Sequence, residues 1–154
     1  MLKKTITPIF ARARKQKKIV LGFDFGLKKI GVAIGQVITR TASPLTILKA
    51  NRGMPDWSLI KKLIMEWDAD ALIVGLPLNM DGTEQWITEC TRQFATTLEK
   101  QFHLPVYLVD ERLTTVAAKD DLHTHLKGSA RFNQVDSVSA KLIVESWLGD
   151  FYSC

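Results

Sequence analysis

The segment Ile19-Val-Leu-Gly-Phe-Asp-Phe-Gly-Leu-Lys-Lys-Ile-Gly-Val-Ala-Ile-Gly-Gln-Val-Ile38 holds two apolar stretches divided by a very short link. Ile19–Phe25 is apolar except for Asp24, the composition of a buried strand. Ile30–Ile38 is a second strand, with Gly31 and Gly35 inside it. The link Gly26–Lys29 has no room for a helix, so the two strands pair antiparallel; parallel partners need a crossover of roughly a dozen residues. Thr46–Leu48 adds a short third strand, and the tight connections predict a meander.

Beyond residue 50 the hydrophobic period changes. Asp56 can cap a helix in which Ile60, Leu63, Ile64 and Trp67 fall on one face. Ala71–Val74 is a strand ending in Gly75. Thr83 can cap a second helix carrying Ile87, Cys90, Phe94 and Leu98, and Val106–Val109 follows Pro105 as another strand. A third helix is expected over Val116–His125, then a polar loop over Gly128–Gln134. A last helix begins near Asp136, with Ala140, Ile143, Val144 and Trp147 as its stripe. Strands joined through helices on one sheet run parallel. The predicted architecture is α/β: a mixed five-stranded sheet, three strands in an antiparallel meander plus parallel strands, flanked by helices. That order is the RNase H-like order. A flavodoxin-like sheet is the alternative, and it requires a helix where Gly26–Lys29 stands.

The chain of 154 residues suits one core, and 46% hydrophobic residues suffice to build it. No apolar run approaches the ~20 residues that span a bilayer, and no signal-peptide pattern follows the basic start. Cys90 and Cys154 form no metal-binding or redox spacing, so a cytoplasmic protein with free thiols is expected. The net charge of +5 is unevenly spread: seven of the 21 basic residues precede the first acid, Asp24. Residues 1–18 therefore read as a basic arm, with Arg14, Lys17 and Lys18 as phosphate-binding candidates. Residues 19–154 form the single domain. Basic arms attract polyanions through counterion release, and a solvated leader is the plain alternative.

Asp24 is the sharpest chemical signal. A carboxylate near the end of a buried strand is costly unless it is paired or binds a metal. Asp110-Glu111 closes the strand Val106–Val109. Adjacent strand residues point to opposite faces, so one of the two can join Asp24 while the other meets backbone or Arg112. Asp136 shares the apolar face of the last helix, which turns it toward the sheet; a capping role is its ordinary alternative. Gly75-Leu-Pro-Leu-Asn-Met-Asp-Gly82 leaves a strand and meets a helix start, a setting for holding phosphate, with Asn79 a contact and Asp81 a spare ligand. Lys28, Lys29 and Arg112 are further phosphate partners. His103, His123 and His125 make no zinc set. Trp57, Trp67, Trp86 and Trp147 fall at helical spacings and are assigned to the core or its margin.

Four segments resemble the motifs of the bacterial YqgF family, in that family's order: Asp24-Phe-Gly-Leu-Lys-Lys-Ile-Gly-Val-Ala33, Val74-Gly-Leu-Pro-Leu-Asn-Met-Asp-Gly-Thr-Glu-Gln85, Val109-Asp-Glu-Arg-Leu-Thr-Thr115 and Asp136-Ser-Val-Ser-Ala140. The resemblance spans residues 19–148. It implies an RNase H-like nuclease of the cytoplasm acting in 5′-end maturation of 16S rRNA. It also implies an acidic set of Asp24, Glu111 and Asp136, with Glu111 favoured over Asp110. Such a set of hard oxygen donors suits one or two Mg²⁺ or Mn²⁺ ions. The basic start is longer than the family's, and Ser139 stands where the family often has alanine. The partners expected are nucleic acid, with precursor rRNA first and junction DNA as the rival substrate, and no membrane; a second copy of the chain is a further candidate. Two readings compete with the nuclease. One is an actin- or sugar-kinase-like ATPase, whose architecture needs two such domains where this chain supplies one. The other is a non-catalytic RNA-binding factor.

Overall fold

The computed structural model describes residues 18–111 and 129–152, with side chains in the second segment described for 138–149. The candidates Arg14, Lys17 and Arg112, the arm up to residue 17, and the helix expected over Val116–His125 lie outside the described residues. Strands β1 (Ile19–Asp24), β2 (Lys29–Gln36), β3 (Thr41–Asn51) and β4 (Met54–Pro55) come first. Helix α1 (Trp57–Trp67), β5 (Ala71–Leu76), α2 (Trp86–Phe102), β6 (Val106–Asp110) and α3 (Ser129–Tyr152) follow. They form one six-stranded sheet in the order β4-β3-β2-β1-β5-β6. The meander is antiparallel, with Asp24 opposite Gly31, while β5 runs parallel to β1 and β6 parallel to β5.

Three elements differ from the sequence reading. The third strand is far longer than Thr46–Leu48, and a two-residue β4 pairs with its end, giving six strands rather than five. Helix α2 starts at Trp86, capped by Gln85 in a reciprocal bond with Thr88. Thr83 instead donates its amide and hydroxyl to Asp81 inside the preceding loop. Helix α3 starts at Ser129, so its first two turns cover most of the stretch read as a loop. Polar residues there masked the helix because periodicity needs apolar positions to be visible.

The alternation of β1 divides the molecule. Leu21, Phe23 and Phe25 face one side, where Ile60 of α1 and Phe94 and Leu98 of α2 complete a core. Trp57 stacks on Phe94 there, with ring centroids 5.7 Å apart. Val20 faces the other side and meets Ala140, Ile143, Val144 and Leu148 of α3. That helix lies very close to the sheet. A Cβ on Gly22 would stand 2.2 Å from Val144 Cγ2, and one on Gly35 2.4 Å from Val144 Cγ1. Among the described residues no helix is long and apolar enough to cross a membrane.

This close approach predicts an asymmetry between two glycines. Gly22→Ala must displace Val144, a β-branched side chain with little rotamer freedom, and overpacking of this kind costs about 1–3 kcal/mol. Gly149 of α3 has nothing within 4 Å of an added Cβ. Gly149→Ala is expected to be neutral or to stabilise by up to about 1 kcal/mol. Urea unfolding of the two variants checks this; equal midpoints would disprove the close-packing account.

Candidate active site at the carboxyl edge of the sheet

Three parallel strands end at one edge of the sheet. Asp24 is the last residue of β1, Leu76 of β5 and Asp110 of β6, with Glu111 immediately after it. Ligands of open α/β sheets lie outside the carboxyl ends of such strands, where the chain departs in different directions. Here the departure differs by strand: β1 turns back into β2, and β5 leads through a loop to α2.

The register settles which acid joins Asp24. Val109 is buried in the α3 core, and Tyr107 packs against Trp147 of α3 at 5.3 Å between ring centroids. Two residues beyond Val109, Glu111 returns to the same face, which is also the face of Val20, Gly22 and Asp24. Asp110 is exposed, whereas Glu111 is only 6% exposed. Glu111 Oε2 would lie 2.6 Å from a Cβ on Gly75, and Ile143 Cδ1 2.3 Å from it. Gly75 thus forms a cradle under the Glu111 carboxyl, which is held between β5 and α3. A glycine inside a strand marks such an approach. The sequence reading ends the strand at Gly75, whereas the structure carries β5 on to Leu76 and so places Gly75 inside it.

The Glu111 carboxyl is hydrogen-bonded to the carboxyl of Asp24. Burial pushes Glu111 above its ordinary value; the bond to Asp24 pulls it back, and the nearby charge of Asp110 adds to the rise. Two carboxyls in one hydrogen bond need a proton between them, because two like charges in a poorly hydrated niche cannot both persist. A divalent cation can take the place of that proton. The donor set is oxygen, which matches a hard cation.

The other candidates are distributed around this edge. Asp136 lies in α3 one turn before Ala140, whose carbonyl oxygen approaches Gly22; its side chain lies outside the described residues. Asp81 is exposed and accepts from the Thr83 amide at 2.9 Å. Asn79 donates its side-chain amide to Thr83 Oγ1 at 2.9 Å, so both belong to the internal bonding of their loop. Among the described residues no group of three acidic, histidine or cysteine side chains is placed to hold a metal. Lys18, Lys28 and Lys29 are exposed, Lys28 in the turn that follows Asp24 and Lys29 at the start of β2.

Comparison with known proteins bears on the family and the fold. A family model described as "RuvX: Holliday junction resolvase" matches residues 18–150. A Nitrosococcus oceani protein named "Putative pre-16S rRNA nuclease" is 49% identical over 138 residues, covering 90% of this chain and 91% of that protein. A Coxiella burnetii protein of the same name is 51% identical over 133 residues, covering 86% and 94%. Among solved structures, Thermus thermophilus RuvC aligns with a TM-score of 0.53 at 12% identity over 88% of this chain and 97% of its own. The fowlpox virus resolvase, solved with Holliday junction DNA, aligns with a TM-score of 0.53 at 11% identity over 87% and 99%. At these identities the structural likeness concerns the fold alone, and it agrees with the RNase H-like fold that the strand order predicted.

The raised Glu111 carboxyl carries a pH signature. Its contribution to stability is complete below its unfolded value of 4.5 and is lost as pH rises through the higher folded value. In EDTA, Glu111→Gln, which stays neutral, is therefore expected to gain stability relative to the parent as pH increases from 4 toward 8. Thermal melts across that range measure it. A constant offset between the two proteins would show that Glu111 ionises normally.

Proposed function

This chain belongs to the RuvX family, and we propose that it is a divalent-metal-dependent nuclease that hydrolyses phosphodiester bonds in the 5′-end processing of pre-16S rRNA. The observation that carries this reading is the hydrogen-bonded pair of Asp24 and Glu111 carboxyls, seated on Gly75 at the carboxyl edge of the sheet. A buried Glu111 bonded to a half-buried Asp24 contributes nothing to a core that apolar residues would not supply better. As a cation site it has a use.

In this reading Asp24 and Glu111 hold one or two Mg²⁺ or Mn²⁺ ions, and Asp136 is the third carboxylate, brought by α3. Bound ions supply an activated water and charge stabilisation at the leaving oxygen. The protein's own residues do the rest. The packing of Ile143 beside Gly75 keeps the Glu111 carboxyl from turning into bulk water and fixes its direction. The Gly26 turn returns the chain so that Lys28 and Lys29 stand beside the site, where they neutralise phosphates flanking the scissile one. Asp110, on the other face, takes no part in the pair. The basic segment 1–18 adds sequence-independent attraction for the polyanion. The relatives' names support precursor rRNA as substrate, and the cytoplasm is the place we assign to that reaction. The family description supports a second substrate, the four-way DNA junction, and the same carboxylates serve either polymer.

Asp24→Asn keeps the shape of the side chain and removes a charge. It is expected to abolish metal-dependent cleavage while the protein stays folded. Without metal its melting temperature should equal or exceed that of the parent. Added Mg²⁺ or Mn²⁺ should stabilise the parent more than the variant, since a ligand of the native state raises stability. Cleavage assays on precursor rRNA, plain single-stranded RNA and four-way DNA junctions, run beside the melts, test both halves. Full cleavage by the variant would remove Asp24 from catalysis, and a strong loss of metal-free stability would make it a structural cap.

A further inference from the structure

Trp86 is 69% exposed, the first residue of α2, and lies outside that helix's buried stripe. Helical spacing alone places it in the core or at its margin, and its exposure corrects that reading. With Leu27, Lys28, Asn51, Arg52 and Cys90 it lines a groove of about 480 Å³. Leu27 and Cys90 rest on the α1–α2 core and give the groove an apolar floor. Lys28 comes from the β1–β2 turn and Arg52 from the β3–β4 turn.

These two turns are fixed to each other. Ala50 donates its amide to the Lys28 carbonyl at 2.8 Å, and Gly53 to the Leu27 carbonyl at 2.9 Å. Gly53, at φ 81°, has no space for a side chain, because an added Cβ would stand 2.6 Å from the Phe25 ring. Arg52 beside it adopts φ 54°, a left-handed conformation. Among the described residues neither Lys28 nor Arg52 is in an ion pair. Two cations, one exposed indole and an apolar floor are thus held in one open groove. Lys28 lies four residues past Asp24, no more than about 14 Å along the chain. The groove opens on the face of the sheet opposite α3, and it shares the carboxyl edge with the acidic pair.

We propose that this groove is a subsite for single-stranded nucleic acid, in which an unstacked base lies on the Trp86 indole while its flanking phosphates meet Lys28 and Arg52. An aromatic platform beside cations accepts any base, whereas a paired base inside a duplex cannot present its face to it. The strand continues around the edge of the sheet to the carboxylates. The inference rests on the nuclease reading for its substrate class, and it specifies that the substrate is unpaired next to the cut.

Binding without cleavage tests it separately from that reading. Labelled single-stranded RNA, single-stranded DNA and a duplex of the same length are titrated in EDTA with full-length Asp24→Asn protein, with and without further substitutions. Trp86→Ala should weaken single-strand binding about tenfold or more, Trp86→Phe should restore most of it, and duplex binding should stay unchanged. Arg52→Ala should lower the log–log salt slope for single strands by about 0.7. A loss confined to RNA or to DNA supports the subsite and names the polymer. Unchanged single-strand affinity in both variants, or an equal loss on duplex, overturns it. Thermal melts confirm that each variant is folded. Wild-type protein that cleaves no substrate removes the nuclease reading and leaves these binding results standing.

Discussion

The whole arrangement depends on how closely α3 approaches the sheet. Gly22, Gly35 and Gly75 come from three different strands, and each lacks the side chain that would hold the helix away. Val144 and Ile143 fill the space instead. Interiors are packed to near-crystalline density, so removing three side chains from one layer moves the neighbouring backbone rather than leaving a void. The helix descends onto β1, β2 and β5. The carboxyl of Glu111 is consequently enclosed between Gly75 and Ile143, not spread into solvent.

That enclosure makes the acidic pair chemically unusual. In water, the repulsion between two carboxylates about 4 Å apart is only about 1 kcal/mol. Against apolar walls, charge on either is unfavourable, and charge on both more so. The folded protein retains Asp24 and Glu111 in contact because the surrounding core fixes them there, at a cost offset by packing elsewhere. A preorganised oxygen site of this kind need not be assembled when a cation arrives, which is the property that a catalytic metal site requires.

The edge that carries the acids also carries the two turns and the loop that lead away from them. The β1–β2 turn places lysines beside Asp24, and it is bonded to the β3–β4 turn that presents Arg52. The loop after β5 is closed by Asn79, Asp81 and Thr83, and it delivers Trp86 at the start of α2. Rigid strands supply the carboxylates while turns supply the cations and the exposed ring. One face of the sheet thus bears the acidic pair and the other bears the groove, with the edge between them.

Much of this was legible in the residues. The four-residue link after Phe25 excluded a helix and so fixed an antiparallel start, from which the remaining order followed. Asp24 stood out because a charge in an apolar strand requires a reason. The identity of its partner was not legible from the strand itself. Alternation says that Asp110 and Glu111 face opposite ways, but only a neighbour on a known face tells which way each points, and Val109, Tyr107 and Trp147 provide it through contacts across the fold. The start of α3 was hidden for a related reason, since polar turns show no period. Trp86 and Arg52 are 34 residues apart in sequence, and nothing local links them. The sequence by itself determined the antiparallel start and the parallel strands after it, and it singled out Asp24, because these rest on local patterns of burial and chain length. The motif resemblance favoured Glu111 as the second acid, but only the tertiary structure gave the physical reason for it and decided where the cations and the ring converge, because those depend on register between strands that are distant in the chain.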